Sequence, residues 1–179
     1  IIVSAFLSFS DWSPLKEKWG MVGFDNYETT FASARFWRSF RNTGQFVVFA
    51  VPGIAITSLL LALIGNHAMK LRSLFRTLFF VPVITPGVVF SLIWIWMFRD
   101  AGAINETLKL IGIDGPNWLL DAGTAMPAII IMTIWAAVGY YMIIFMAGLA
   151  DIPDIYYEAA KVDGANRFQT FRHITLPLL

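Results

Sequence analysis

The residues best placed to do chemistry in this sequence stand between Asp151 and Leu179, in the stretch DIPDIYYEAAKVDGANRFQTFRHITLPLL. The chemistry they suit is recognition. Glu158 is followed by Ala159 and Ala160, whose small side chains let another backbone approach closely, and Asp163 leads into Gly164, a residue free to make a sharp turn. Tyrosines, phenylalanines and charges around them offer anchor and rim contacts for an interface. Ile174, Leu176 and Pro177 close the interval. No reactive constellation stands beside it: the chain has no cysteine, which removes disulfides, thiolate nucleophiles and cysteine metal sites. It carries no G-x-x-x-x-G-K-[ST] loop to cradle a nucleotide phosphate. Its two histidines, His67 and His173, fall far apart at loop positions and read as interfacial or structural, with a metal or proton role as the minority alternative. We therefore expect no catalytic residue and no metal ligand.

A short helix–turn–helix is the element that must position these residues. Pro153 suits a first helical position, where its missing N–H costs nothing, and Gly164 reads as the helix stop. Asn166 then serves as N-cap of a second helix with Gln169 three residues on, the spacing of a reciprocal cap. Phe168, Phe171 and Ile174 would share one face of it.

At this spacing the interval resembles the cytoplasmic motif of bacterial ABC importer permeases: E-A-A, three residues, G, nine residues, I, one residue, L-P. Glu158, Ala159, Ala160, Gly164, Ile174, Leu176 and Pro177 occupy its fixed positions, with Asp163 just before the glycine. The resemblance implies a coupling element seated in a groove of an ATP-binding subunit. It also implies that ATP and Mg belong to that partner ATPase and that this chain binds no cofactor. The residues alone leave open an amphipathic hairpin lying on the bilayer or packed on its own protein.

Composition sets the solvent. Hydrophobic residues make up 58% of the 179 and charged ones 14%, with a mean hydropathy of +0.67, far too apolar for a soluble domain. A net charge of +1 offers no basic excess for nucleic acid. The chain opens on Ile1 and stops just after HITLP, and both ends read as cuts. We expect an all-α integral membrane protein, a polytopic helical bundle of the ABC importer type I permease kind, lacking the start of its first span and its C-terminal spans.

Uncharged runs and punctuation divide the chain as follows. Residues 1–9 are the tail of a span and 10–41 a loop beside the bilayer, rich in turn formers and interface aromatics. Residues 42–69 form a span with Pro52 and Gly53 in its middle, predicted to kink there. After a basic turn at 70–76, residues 77–98 form a span that Pro82 and Pro86-Gly87 break or kink, which places it beside the pathway rather than the lipid. Residues 99–121 are a loop with a short helix between Asn105 as N-cap and Gly112 as stop, and 122–150 are a third span. The interval 151–173 is the coupling loop, and 174–179 starts a further span. SFSDWSPL, GFDNY, RFWRSFRNT and LFRTLFFVP resemble the corresponding stretches of the carbohydrate-type permeases.

Charge counting does not orient the chain. Lys70, Arg72, Arg76, Lys161, Arg167 and Arg172 would lie inside, but Lys16, Lys18, Arg35, Arg38, Arg41, Arg99 and Lys109 would lie outside, slightly against the positive-inside rule. The resemblance puts the Glu158 loop in the cytoplasm, and alternation makes 70–76 cytoplasmic and 10–41 and 99–121 extracytoplasmic. The uncharged runs contain no carboxylate to couple protons or ions, so a polar, uncharged solute fits better. Sugars suit aromatic faces and amides, and Tyr140, Tyr141, Trp135, Trp94, Trp96 and Gln45 are the residues that could meet one. For each, interface anchoring or helix packing is the plainer alternative.

The resemblance extends over nearly the whole chain and is closest to the maltose and glycerol-3-phosphate type of permease in the bacterial inner membrane. It implies a sugar or sugar-like cargo and four kinds of partner: a second related permease, two cytoplasmic ATP-binding subunits, an extracytoplasmic solute-binding protein and membrane lipid. A non-sugar cargo such as a polyamine or peptide, or a channel or scaffold subunit without an ATPase, are the alternatives.

Overall fold

Regular structure among the described residues is helical, the arrangement by which a chain in hydrocarbon satisfies its own backbone groups. The computed structural model describes residues 1–16, 19–67 and 72–179, without the side chains of 66, 67 and 72. Lys18, Lys70, the last two residues of the 42–69 run and the side chain of His67 lie outside the described residues. The only β-pairing described is an isolated bridge between Ser10 and Met21. The chain divides into two compact units, Ile1–Val47 and Val48–Leu179.

In the first unit a short helix α1 (Ile2–Leu7) leads into a loop tied by side chains, followed by α2 (Asp25–Ala32). The Asn26 amide donates to the carbonyls of Ser8 and Ser10, both at 2.9 Å. Asp11 accepts from the Lys16 ammonium at 2.7 Å and from the Gly20 N–H at 2.6 Å, and these bonds hold its carboxyl below the usual carboxylate range. Helix α3 (Ala34–His67) starts well before the uncharged run, because nothing from Ala34 to Arg41 breaks a helix. The segment expected as loop therefore holds α2 and the first turns of α3.

Helix α3 is assigned as one helix across Pro52. Within the second unit the next apolar run divides. Pro82 lies inside α4 (Arg72–Ile84), whereas Pro86 separates it from α5 (Gly87–Met97), and the two helices meet at 100°. Thr85, as the residue before a proline, is disfavoured in the helical region, so the second proline ends the helix. One span bent at two prolines becomes two helices hinged at one. By length and composition, α3 and α7 (Ala125–Asp151) can cross a membrane, and the α4–α5 pair makes a third crossing if it counts as one broken span.

Between these runs lies α6 (Ala103–Leu110), and here the expected cap is corrected. Gly102 is the N-cap. Asn105 is buried within the helix, where its amide donates to the Pro116 carbonyl (3.2 Å) and accepts from the Trp118 indole (2.6 Å). The side chain that looked available for capping instead closes the loop. Gly112, with φ +77°, does terminate the helix region as expected.

Small residues bring the long helices together. The backbone of α4 at Phe79 and Phe80 lies directly against Gly139 of α7; a Cβ there would overlap the Phe79 carbonyl oxygen and stand 2.7 Å from its carbon. Ser58 of α3, fully buried, donates to the Val138 carbonyl at 3.2 Å. Elsewhere on α3, Gly53 meets Ile134, and Gly65 meets Phe75 and Met146. Such small-residue seams are how helices approach closely where lipid supplies no hydrophobic drive. Replacing Gly139 by alanine is expected to destabilise the fold by about 1–3 kcal/mol, because the clash is with backbone and not with a side chain that can swing away. Gly44→Ala, with open space around it, is expected to cost nothing. Thermal unfolding of the two variants in detergent checks this.

Candidate functional site

The Asp151–Leu179 stretch folds as a hairpin. Helix α8 (Asp154–Val162) starts one residue after Pro153, which is the N-cap in extended conformation rather than the first helical residue. At its other end the Ala165 N–H donates to the Ala160 carbonyl (2.9 Å) and the Gly164 N–H to the Lys161 carbonyl (3.2 Å), with Gly164 at φ +73°. These are the two bonds of a Schellman cap, which requires the left-handed residue that glycine tolerates. The turn is thus built by the backbone around Gly164.

Helix α9 (Arg167–Thr170) follows at once, under a complete capping box. Gln169 N–H donates to Asn166 Oδ1 at 2.9 Å, and Asn166 N–H donates to Gln169 Oε1 at 2.8 Å. Its continuation is not a plain α-helix. Residues Phe171–Thr175 form a π-turn before a last short helix, α10 (Leu176–Leu178), in a stretch where Pro177 cannot donate to the carbonyl four residues back. The turn shifts the register, so Phe168 is exposed while Phe171 and Ile174 are half-buried. The face expected to carry all three is split.

The hairpin has an inside and an outside. Ala160, only 6% exposed, and Thr175 are buried, and the Tyr157 hydroxyl lies 3.3 Å from the Thr175 hydroxyl. Glu158, Ala159, Asp163 and Gly164 are exposed, as are Leu176 and Pro177. Of the two alanines read as a landing place for another backbone, only Ala159 is accessible. On the same helix Ile155, Tyr156 and Val162 are also exposed, Val162 as much as 88%, and Phe168 is exposed on the second limb. On the inner side, Tyr157 and Leu179 pack against a core of Ala62, Met142, Met146, Leu149 and Ile152, which Phe75 and Phe79 of α4 also join. The hairpin and the ends of α3, α4 and α7 therefore share one hydrophobic cluster. Tyr157 and Thr175, the residues that fasten the motif to the bundle, were not singled out by sequence; Tyr157's place beside Glu158 was the available signal.

The aromatic residues gather elsewhere. Trp94 is buried against Phe98 and Ala128, with Phe90, Ile104, Trp118 and Met132 packed around them. Trp135 stacks on Phe90 (5.5 Å between centroids, 21°) and meets Trp94 edge-on at 5.6 Å. Phe90, one helical turn before Trp94, was the member that sequence reasoning passed over. Trp94 Nε1 is buried with no hydrogen-bond partner among the described residues. Tyr140 and Tyr141 form an edge-to-face pair at 5.3 Å and both are exposed, as is Trp96. Gln45 is exposed in the Ile1–Val47 unit. Among the described residues no group of three or more His, Asp or Glu side chains is placed to hold a metal ion.

Apolar helices of spanning length that share a core with a capped hairpin define an integral membrane protein of the helical class. The family described as binding-protein-dependent transport system inner membrane component matches residues 54–179, and the chain belongs to that family. It is 34% identical, over 97% of its length, to the diacetylchitobiose uptake system permease protein of Streptomyces coelicolor, covering 53% of that protein. Among solved structures it resembles a chain of a bacterial ABC transporter importing the acidic polysaccharide alginate. The TM-score is 0.81 at 28% identity, over 99% of this chain and 61% of that one. A second structure, of an alginate ABC transporter in complex with an alginate pentasaccharide-bound periplasmic protein, matches with a TM-score of 0.77 at 30% identity, over 87% of this chain and 55% of that one. The chain spans between about half and two thirds of the length of the curated relatives it matches.

The capping box carries a measurable share of the hairpin's order. Asn166→Ala removes the side-chain acceptor of the Gln169 N–H, leaving the bond from its own backbone N–H to Gln169 Oε1, and is expected to destabilise the second helix by about 1 kcal/mol. Faster amide hydrogen exchange at Arg167–Thr170, with exchange in α7 unchanged, is the expected result.

Proposed function

We propose that this chain is a membrane-spanning subunit of an ATP-driven importer and that its helices line the pathway for a sugar or sugar-like solute. The Glu158–Pro177 hairpin couples it to a separate ATPase. The observation that carries the reading is the two-sidedness of the hairpin: its outer face presents Glu158, Ala159, Ile155 and Val162, while its inner face shares a core with the membrane helices. A push on such an element is transmitted to α3, α4 and α7 as rigid packing.

In this reading the hairpin faces the cytoplasm of a bacterial cell, and residues 10–41 and 99–121 face outward. Two ATP-binding subunits, holding ATP and Mg, receive this hairpin and its counterpart on a second, related permease. An extracytoplasmic binding protein delivers the solute, as the family's description and the alginate complex suggest. Nucleotide-driven closure draws the hairpins together and the helices rock around a midplane site. The sugar cargo is supported by the diacetylchitobiose and alginate relatives and by the absence of carboxylates along the uncharged runs. Tyr140 and Tyr141, paired and exposed beside the Gly139 contact, are the residues we assign to the pathway first, followed by Trp135, Trp94 and Gln45.

Two substitutions test the coupling. Gly164→Pro imposes a negative φ where the backbone is at +73° and deletes the N–H that bonds Lys161, and Glu158→Lys reverses a charge on the outer face. Both are expected to leave membrane insertion intact and to lower ATP-dependent solute uptake by at least about tenfold, the effect of ~1.4 kcal/mol or more on the coupled state. Uptake at the natural rate in both variants contradicts the coupling role.

A further inference from the structure

Helix α3 enters its apolar run behind a band of charge and aromatic rings. Arg35, Arg38 and Arg41 recur at every third position and are exposed. The ion pairs among the described residues are Lys16–Asp11 and Lys109–Glu106, so none of these three guanidinium groups has an acidic partner, and no acidic residue stands in the helix's first turn. At 3.6 residues per turn the three arginines share an arc of roughly 120°, and Phe36, Trp37 and Phe40 occupy the adjoining arc. The rings form a ladder: Phe31 to Phe36 at 5.4 Å, Phe36 to Trp37 at 5.4 Å, and Trp37 to Phe40 at 5.9 Å. Trp37 Nε1 donates to the Phe31 carbonyl at 2.8 Å, which anchors the ladder to the end of α2. Even so, Trp37 remains 52% and Phe40 63% exposed.

Depth and chemistry together identify what would cover this band. With a rise of 1.5 Å per residue, Arg41, Arg38 and Arg35 stand roughly 2, 6 and 11 Å before the uncharged run that begins at Asn42. That is the level of the lipid headgroups, which occupy roughly 5–8 Å on each side of a ~30 Å hydrocarbon core. Tryptophan and its neighbours favour the same level, with one side apolar and the other wet. Guanidinium forks match phosphate oxygens in geometry as well as charge.

We propose that the first turns of α3 form a site for anionic phospholipids, with Arg35, Arg38 and Arg41 holding headgroup phosphates and Phe36, Trp37 and Phe40 seated at the acyl boundary. A soluble partner protein would be matched by the arginines but would leave the aromatic ladder at bilayer depth without a purpose. The site also accounts for a run of arginines on what we read as the outer side: phosphate contact, not topology, selects them. The inference needs α3 to span the membrane and is independent of the cargo and of the ATPase.

The test uses the full-length permease reconstituted in phosphatidylcholine vesicles containing phosphatidylglycerol, with spin-labelled versions of each lipid as reporters of the shell in contact with protein. The natural chain is expected to select phosphatidylglycerol several-fold over phosphatidylcholine. R35Q/R38Q/R41Q should lose that preference, and R38Q alone, less prone to misinsertion, should lose part of it, with about fivefold per basic residue near a membrane surface as the upper limit. Equal association of both lipids with the natural chain overturns the proposal, as does a preference that survives in R38Q and in the triple variant. Unchanged lipid selectivity accompanied by weaker capture of the solute-binding protein would also overturn it, assigning the arginines to that protein.

Discussion

The hydrophobic cluster of Ala62, Met142, Met146, Leu149 and Ile152 is the joint on which the second unit depends. It receives side chains from α3, α4 and α7 and, through Tyr157 and Leu179, from both limbs of the hairpin. Closely packed interiors transmit displacement and do not absorb it, so what moves the hairpin must move the helices. The small-residue seams serve the same end. Gly139 admits the α4 backbone, Gly53 and Gly65 admit side chains, and Ser58 adds a buried hydrogen bond to the Val138 carbonyl. A bulkier residue at Gly139 would meet the α4 backbone, hold the helices apart and loosen the joint.

Local chemistry in the hairpin was legible because it is written in short-range rules. Gly164 as the helix stop and Asn166 with Gln169 as a reciprocal cap follow from backbone accounting over four or five residues, and the bonds found are those that accounting requires. The all-helical class was legible too, from long uncharged runs and a composition that water would not tolerate. Gly112 behaved in the same way as Gly164.

What the sequence did not disclose depends on partners far along the chain. Asn105 has the side chain of an N-cap, but a loop residue, Trp118, and the Pro116 carbonyl offered it better bonds inside the fold. Ala159 and Ala160 are the same residue type, and only the folded hairpin makes one of them interior. Pro82 and Pro86 looked equivalent as breakers; α4 accommodates the first, and the chain turns through 100° at the second. The π-turn at Phe171–Thr175 leaves no compositional trace apart from Pro177, yet it decides which aromatic faces outward. The grouping of Trp94, Trp135 and Phe90 likewise required the fold, since Phe90 and Trp94 lie on α5 and Trp135 on α7.

The central claim is that the outer face of the hairpin seats in an ATPase, and a chain with no cysteine of its own permits a direct test. A single cysteine at Ala159, which is exposed, can be crosslinked in membranes to cysteines placed in candidate ATP-binding subunits, with and without ATP, while one at the buried Ala160 serves as an internal reference. The account predicts a crosslink from Ala159→Cys whose yield changes with nucleotide, and little or none from Ala160→Cys. Equal yields from the two positions, or no crosslink from Ala159→Cys in properly inserted protein, would contradict it.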